Sequence, residues 1–140
     1  MQLKPLTTTT IGSFPRPAWL AATDRSHARF RLEGEALREA QDDATLLTLR
    51  EQEALGLDIV TDGEQRREGF IFHMARTWEG IDLVNQGRKD TYRGRAAPRT
   101  VPRITGKIVR RAPSTVEDLR FAKAHTRAPV KMALALRKEL

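Results

Sequence analysis

The hydrophobic pattern changes from strand-like to helix-like within the first 55 residues. Residues Thr7 to Phe14 are rich in β-branched side chains, and Pro15 and Pro17 prevent the strand that they predict from continuing. From Glu35 to Leu55, apolar residues recur at spacings of three and four, which predicts a long helix. The apolar stripe of this helix is predicted to contain Leu37, Ala40, Ala44 and Leu47.

The pattern returns to a strand directly after this helix. Gly56 occupies the position of a helix C-terminal glycine, and the apolar residues from Leu57 to Thr61 predict the next strand. Because a long helix connects the two strands, they are predicted to lie parallel. Residues 18–33 show no clear period, and a short helix in which Trp19 and Leu20 pack is one interpretation.

The remaining elements continue the alternation. A helix is predicted over residues 69–78, a strand over Val101 to Arg111, and a further helix after a capping-box pair, Ser114 and Glu117. Pro129 opens a final strand. About four strands and three or four helices in strict alternation predict an α/β fold, with a wound or barrel sheet of parallel strands.

Short polar segments follow the first two strands. Gly12 and Ser13 end the first strand, and Asp62, Gly63 and Glu64 follow the second. In parallel α/β folds the chemistry collects at the C-terminal ends of the strands, so these residues are predicted to meet. A hydroxyl and free main-chain amides suit a carboxylate, and a glutamate suits an ammonium group, so the site could hold a zwitterion. Each residue also has a structural interpretation, as a turn residue or a surface carboxylate.

Composition narrows the classes of function. The 140 residues suffice for one domain with a hydrophobic core, and the absence of cysteine excludes disulfides and thiolate metal sites within the chain. The N-terminal residues lack the apolar core of a secretory signal, and no apolar run approaches the roughly 20 residues that span a bilayer. A soluble cytoplasmic protein without a membrane partner is therefore expected. The three histidines share no metal-binding spacing, so no metal site is expected.

The net charge of +7 is concentrated in one segment. The segment from Arg88 to Arg111 contains nine basic residues and one acidic residue, Asp90. Such a segment can bind phosphates or nucleic acid, lie in solvent, or pair with an acidic surface of another chain. It contains one aromatic residue, Tyr92, and no interleaved stacking pattern, so nucleic acid is the least favoured of these partners.

Three blocks of the sequence resemble one enzyme family. In order, TTTIGSFPRP, EQEALGLDIVTDGEQRREGFIF and ITGKIVRRAP with the residues up to Met132 are similar to the catalytic barrel of cobalamin-independent methionine synthase and its shorter relatives. The resemblance runs from about Thr7 to Met132. The first two blocks are specific because GSFP and DGE occur together at the separation typical of that family, whereas the third block is more generic.

The resemblance implies a (β/α)8 TIM barrel and transfer of a methyl group from methyltetrahydrofolate, or its polyglutamate form, to homocysteine, without cobalamin. It places the amino-acid end of homocysteine at four residues, with three secondary candidates: Ile11, Gly12, Ser13 and Glu64, then Asp62, Arg66 and Arg67. The two arginines could meet the carboxylate tail of a folate, or lie in solvent at a helix start. In this family a zinc ion activates the substrate thiol, and its ligands (a His-x-Cys pair, a Glu and a further Cys) belong to the later half of the barrel.

The chain departs from this family in length and in metal ligands. A complete barrel needs about 250 residues, so residues 1–140 are predicted to form a single partial domain, an incomplete barrel of about the first four β/α units. Such a fragment is predicted to be inactive alone, and its open strand edges predict marginal stability or self-association. Three alternatives stay open: a subunit that completes a barrel with a partner chain such as the missing C-terminal half, a zinc-dependent transferase acting on another thiol, and a basic nucleic-acid-binding protein.

Overall fold

The protein divides into two compact units in a computed structural model that describes residues 4–22, 28–89 and 99–134. One unit is Phe70–Ser114, and the other consists of the described residues on either side of it. His27, Asp90, Tyr92 and the final six residues, on which parts of the sequence analysis rest, lie outside the described residues. The helices and strands are β1 (Ala21–Ala22), β2 (Arg29–Phe30), α1 (Gly34–Ala54), α2 (Phe70–Ala75), β3 (Trp78–Lys89), β4 (Arg99–Arg110) and α3 (Val116–Ala124).

Three short chain segments lie parallel in the first unit. Thr9 pairs with Ile59, and Val60 pairs with Val130, both in parallel register. The main-chain N–H of Lys131 donates to the carbonyl of Val60 at 2.9 Å. Helix α1 connects the first two segments, and α3 precedes the third. The predicted strand–helix–strand crossover is therefore confirmed, and the fold class is α/β.

Helix α1 matches the predicted helix within one residue at each end. Its buried positions are Ala40, Ala44, Thr45, Thr48, Leu49 and Gln52. The prediction that Leu47 joins this stripe is wrong, because its side chain is 56% exposed. The buried face is centred near Thr48 and Gln52. Successive helix residues are about 100° apart, so Leu47 lies about 100° from Thr48, beside the buried face. Gly56 has a φ of +73°, as expected for a glycine that ends a helix.

The hydrophobic core of this unit consists of two small clusters. One joins α1 to the β1–β2 region through Leu20, Ala21, Ala40 and Ala44. The other joins α1, the central parallel segment and α3 through Leu49, Val60 and Ala122, with Ala128 and Val130 packed against it. The second cluster fixes the central segment, whose C-terminal end carries the DGE residues.

A buried amide side chain adds a polar link between α1 and the parallel segments. Gln52 Nε2 donates to the carbonyl of Thr61 at 2.8 Å, and Gln52 Oε1 accepts from the N–H of Thr61 at 3.0 Å and from the hydroxyl of Thr10 at 3.0 Å. Gln52 is fully buried, and its hydrogen bonds satisfy the polar atoms that burial removes from water. The helix and two neighbouring segments are thereby held in one register.

The described residues of this stretch, 18–22 and 28–33, do not form the suggested helix. Residues 18–20 form a turn, and β1 and β2 pair antiparallel, with Ala21 opposite Phe30. Leu20 is fully buried, as suggested, but Trp19 is 47% exposed. The absence of a helical period in this stretch reflects this turn-and-ribbon structure.

The second unit departs from the predicted alternation of helices and strands. Helix α2 is shorter than the predicted helix, and the residues that follow form β3, a strand that the sequence pattern did not predict. Strand β4 confirms the strand predicted at Val101 to Arg111, but it pairs antiparallel with β3, Trp78 lying opposite Arg110. Nine residues separate β3 from β4, which is too short for a helical crossover, so the strict alternation with a parallel strand here is wrong.

Helix α3 forms as predicted but without the capping box. Its N-cap residue is Thr115, which makes no side-chain capping hydrogen bond. Ser114 lies one residue too early and donates its hydroxyl to the Met74 sulfur at 3.1 Å. Glu117 therefore occupies the second helical position, from which a capping box cannot close.

None of the helices among the described residues is long and apolar enough to cross a membrane.

Candidate functional site

Two loops meet where the first and second parallel segments end. The first loop, residues 11–16, follows the segment that contains Thr9, and the second, residues 62–67, follows the segment that contains Val60. The N–H of Phe14 donates to the carbonyl of Gly63 at 2.9 Å, which ties the loops together. The expectation that the two polar segments meet at strand ends is thus confirmed.

The two polar side chains predicted to hold a zwitterion are in direct contact. Ser13 Oγ donates to Glu64 Oε2 at 2.7 Å. Glu64 is 7% exposed, whereas Ser13 is exposed. The other carboxylate oxygen of Glu64 lies 4.0 Å from Arg67 Nη1. The hydroxyl and the carboxylate therefore share one place at the surface of the first unit.

The first loop presents open backbone beside this pair. Gly12 has a φ of +81°, and a side chain built there would meet nothing within 4 Å. The neighbouring Ile11 is 94% exposed. A ligand can therefore approach the main chain here without displacing protein atoms. The predicted binding role of these residues stays a prediction.

Gly63 has a different role from Gly12. Its φ is +61°, and a Cβ atom at this position would lie 2.5 Å from Thr48 Cγ2 and 2.8 Å from Phe14 Cβ. The close approach that Gly63 allows is to protein, not to open space. Glycine here lets the second loop pack against α1 and the first loop.

Glu64 adopts a backbone conformation that is uncommon for a residue with a side chain. Its φ is +56°, in the left-handed region that costs about 1–2 kcal/mol for L-residues. The N–H of Glu64 donates to Asp62 Oδ1 at 3.1 Å. The turn-bonding interpretation of Asp62 is confirmed by this contact, which helps to hold Glu64 in place.

Asp62 and Arg67 form a buried charged pair beneath the turn. Each side chain is 2% exposed, and Arg67 Nη2 lies 3.5 Å from Asp62 Oδ2. Burial raises the pKa of Asp62 above its ordinary value of 3.8, and the positive charge of Arg67 opposes this rise. Arg67 Nη1 also donates to the carbonyl of Ala133 at 2.9 Å, which links the turn to the segment that follows α3.

Replacing Arg67 with glutamine is expected to raise the pKa of Asp62 further, because the opposing charge is lost while burial remains. Between pH 3.8 and the raised pKa, the folded chain binds more protons at Asp62 than the unfolded chain does. The Asp62 contribution to stability is therefore present below pH 3.8 and is lost as the pH rises through the folded pKa. Carboxyl carbon shifts measured by NMR across a pH titration test this. An unchanged or lower pKa in Arg67→Gln, with Arg50→Gln as the control, would contradict it.

Arg66 is half-buried, with a side chain that is 15% exposed and surrounded by protein groups. It pairs with Asp42 on α1, lies 3.9 Å from Asp118 on α3, and its guanidinium stacks 4.2 Å from the ring centroid of Phe121. The expectation that Arg66 and Arg67 lie in solvent at a helix start is wrong, because helix α2 begins only at Phe70. Both arginines belong to the turn and tie it to the surrounding helices and segments.

Sequence reasoning missed one residue of the site, Arg16. Its Nη2 atom donates to the carbonyls of Glu64 at 2.8 Å and Arg67 at 2.7 Å. Burial lowers the pKa of this guanidinium, while the carboxylate of Glu64 raises it and Arg67 lowers it. Standing between two prolines, Arg16 carries no spacing signal that could have revealed these contacts.

The residues of this chain do not fit a zinc site of the kind that the resemblance implies. The chain has no cysteine, and the described part of it holds no group of three or more His, Cys, Asp or Glu residues placed to bind a metal ion. The His125 ring lies beside Phe121, with centroids 4.2 Å apart. His73 is a half-buried residue of α2, as expected.

The fold and these loops define an α/β protein with a polar site at the ends of parallel segments. The sequence profile described as "Cobalamin-independent synthase, Catalytic domain" matches residues 6–135. The chain belongs to this family.

Relatives with known names support the same assignment. The chain is 36% identical over 121 residues to a methionine synthase of Sulfolobus acidocaldarius, covering 85% of this chain and 34% of that protein. It is 33% identical over 131 residues to a 5-methyltetrahydropteroyltriglutamate–homocysteine methyltransferase of Synechococcus sp., and this match covers 94% of this chain and 17% of that protein. The chain thus spans about a third or less of the length of these relatives.

A solved structure has the same fold over most of the chain. It is a B12-independent methionine synthase from Shewanella sp. W3-18-1 in complex with selenomethionine, and it matches with a TM-score of 0.85 and 36% identity. The match covers 92% of this chain and 37% of that one.

Proposed function

We propose that this chain supplies the site for the amino-acid end of homocysteine in a cobalamin-independent methionine synthase. The observation that carries the proposal is the 2.7 Å contact between the Ser13 hydroxyl and the Glu64 carboxylate, beside the open backbone of Gly12. Membership of the family and the named relatives support the reaction class, methyl transfer from methyltetrahydrofolate to homocysteine.

The chemistry of the two groups suits a zwitterionic amino acid. On binding, Glu64 accepts hydrogen bonds from the ammonium group. The hydroxyl of Ser13 then turns from Glu64 and, with the main-chain amides at Ile11 and Gly12, donates to the carboxylate of the ligand. Fixing both charged groups leaves the thiol end to be positioned against a methyl donor, and such positioning lowers the entropic part of the barrier. In the transfer, the thiol of homocysteine loses its proton, the sulfur–methyl bond forms as the bond between the methyl group and the folate nitrogen breaks, and that nitrogen takes up a proton.

We further propose that the fold is the first part of a (β/α)8 barrel. The three parallel segments with their connecting helices, and the likeness to the Shewanella enzyme, support this. Zinc would then be held by residues that this chain does not provide, because its own donor set does not fit the ion. The chain alone is expected to bind the amino acid without forming methionine.

A second candidate is a subunit that completes the barrel with a separate chain. Among the described residues, the segments at Thr9 and Val130 each pair on one side only, with the central segment between them. Unpaired strand edges of this kind are a place where further strands can add. Co-purification of a partner that carries the zinc ligands would support this candidate, and a lasting monomer in cell extract would exclude it.

Binding of homocysteine and of two half-analogues tests the proposed function. Calorimetry compares L-homocysteine with 4-mercaptobutyrate, which lacks the ammonium group, and with 3-mercaptopropylamine, which lacks the carboxylate. Because two charged groups are recognised, we expect homocysteine to bind about 10-fold more tightly than either analogue, or more. Equal affinity for homocysteine and 4-mercaptobutyrate would contradict a role for Glu64 in ammonium recognition.

A further inference from the structure

Arg16 makes hydrogen bonds to the main chain of the turn that contains Glu64. A single nitrogen, Nη2, donates to two carbonyls of the same turn, those of Glu64 and Arg67, at 2.8 and 2.7 Å. These two carbonyls flank the left-handed turn in which Glu64 has a φ of +56°. Both hydrogen bonds go to main-chain oxygens, so they do not occupy the carboxylate of Glu64.

The strain at Glu64 is opposed by contacts within the turn and from outside it. A left-handed non-glycine residue persists only where its surroundings over-determine it. Within the turn, the Glu64 N–H donates to Asp62 Oδ1 at 3.1 Å, and the Glu64 carbonyl accepts from the Arg67 N–H at 3.1 Å. Charge-assisted hydrogen bonds are shorter and roughly twice as strong as neutral ones, and Arg16 supplies two of them. The first loop therefore holds the conformation of the second.

We propose that Arg16 is a positioning residue for ammonium recognition, which it governs by holding Glu64 in the left-handed conformation that aims its carboxylate at Ser13. The inference rests on the proposed function for its ligand, but its structural part stands independently. Ser13 and Arg16 lie in the same loop, so one short segment sets both the hydroxyl and the backbone of its carboxylate partner.

The geometry separates Arg16 from a residue that merely stabilises the fold. If Arg16 acts through Glu64, removing it weakens binding of ligands that carry an ammonium group and spares those without one. Its effect should also disappear once the Glu64 carboxylate is gone, because residues that act through one another are not additive. A general loss of stability would weaken all ligands alike.

The test uses the 140-residue chain with Arg16→Met, Arg16→Lys, Glu64→Ala and the double variant Arg16→Met/Glu64→Ala. Arg38→Met, at an exposed position on α1, is the matched control. We expect Arg16→Met to lower the affinity for L-homocysteine about 10-fold and to change the affinity for 4-mercaptobutyrate by less than about 2-fold. Arg16→Lys, which keeps one charged donor nitrogen, should recover part of the loss. In the Glu64→Ala background, Arg16→Met should have no further effect.

A second readout needs no ligand. A strong NOE between the amide and α protons of Glu64 reports its left-handed conformation in the wild-type chain. Arg16→Met is expected to weaken it, and Arg16→Lys and Arg38→Met to retain it. An undiminished NOE in Arg16→Met overturns the inference. If Arg16→Met fails to fold, a folded Arg16→Lys variant that weakens binding of L-homocysteine and of 4-mercaptobutyrate equally overturns it instead.

The outcomes distinguish the inference from the function on which it rests. The inference is wrong and the proposed function stands in either of two cases. In the first, Glu64→Ala lowers the affinity for homocysteine but Arg16→Met does not. In the second, Arg16→Met lowers the affinity for both ligands equally. If the wild-type chain binds neither ligand, or if Glu64→Ala has no effect, the proposed function fails. The NOE then decides the structural role of Arg16 by itself.

Discussion

Replacing Glu64 with glutamine is expected to weaken binding of L-homocysteine by about 10- to 100-fold, the range for losing a hydrogen bond to a charged group. Glutamine keeps the size of the side chain and an oxygen that can accept from Ser13, so the loop contact at 2.7 Å has a substitute. What glutamine loses is the negative charge, which we propose faces the ammonium group of the ligand. The change therefore isolates charge recognition from loop structure.

Calorimetric titration measures this effect. Glu51→Gln, at an exposed position on α1, is the matched control and should leave the affinity unchanged. The affinity for 4-mercaptobutyrate should also stay within about 2-fold, because that ligand has no ammonium group. An equal loss for both ligands would show that Glu64 supports the loops without contacting the ligand.

A large effect on stability is expected from Gly63→Ala. The new methyl group would lie 2.5 Å from Thr48 Cγ2 and 2.8 Å from Phe14 Cβ, and the left-handed φ of +61° adds backbone strain. Overpacking typically costs about 1–3 kcal/mol and the backbone strain about 1–2 kcal/mol. We expect the free energy of unfolding to fall by about 2–5 kcal/mol.

Gly56→Ala provides a control for the backbone contribution. Gly56 has a similar φ of +73°, but a side chain there meets nothing within 4 Å. Chemical denaturation followed by circular dichroism should therefore show a smaller loss, about 1–2 kcal/mol. If the two alanine variants are equally destabilised, the packing of Gly63 between α1 and the first loop is not what fixes the turn.

The site residues could be predicted from sequence because their positions follow from local rules. A strand, a long helix and a second strand form a parallel crossover, and its two strand ends lie at one edge. That rule alone brings Ser13 and Glu64 together across 51 positions of sequence. It needs no knowledge of how the side chains pack.

Residues whose role depends on packing could not be predicted in this way. Arg16 contacts carbonyls 48 and 51 positions away. Every residue has a main-chain carbonyl, so no sequence pattern identifies the ones that an arginine will contact. Arg66 and Arg67 follow a strand and precede a helix, which suggested solvent. Their burial depends on Asp42, Asp118 and Asp62, which approach from different parts of the first unit.

The antiparallel pairing of β3 with β4 was not predicted for a different reason. Strand β3 contains Gly80, Asn85 and Gly87, residues typical of loops, and its pairing with β4 is irregular between Asp82 and Gly87. Gly80 has a φ of +79°, and a side chain there would lie 2.4 Å from the carbonyl oxygen of Lys107. Gly80 therefore lets the two strands approach each other closely.

An NMR titration of the ¹⁵N-labelled chain with L-homocysteine tests whether the two loops hold the amino-acid end of the substrate. We expect the largest amide shifts at Gly12, Ser13 and Glu64, and we expect them to saturate together and to be much reduced with 3-mercaptopropylamine or 4-mercaptobutyrate. Shifts confined to residues of β3 and β4, or no saturable shifts at the two loops, would contradict the claim that these loops hold the amino-acid end of the substrate.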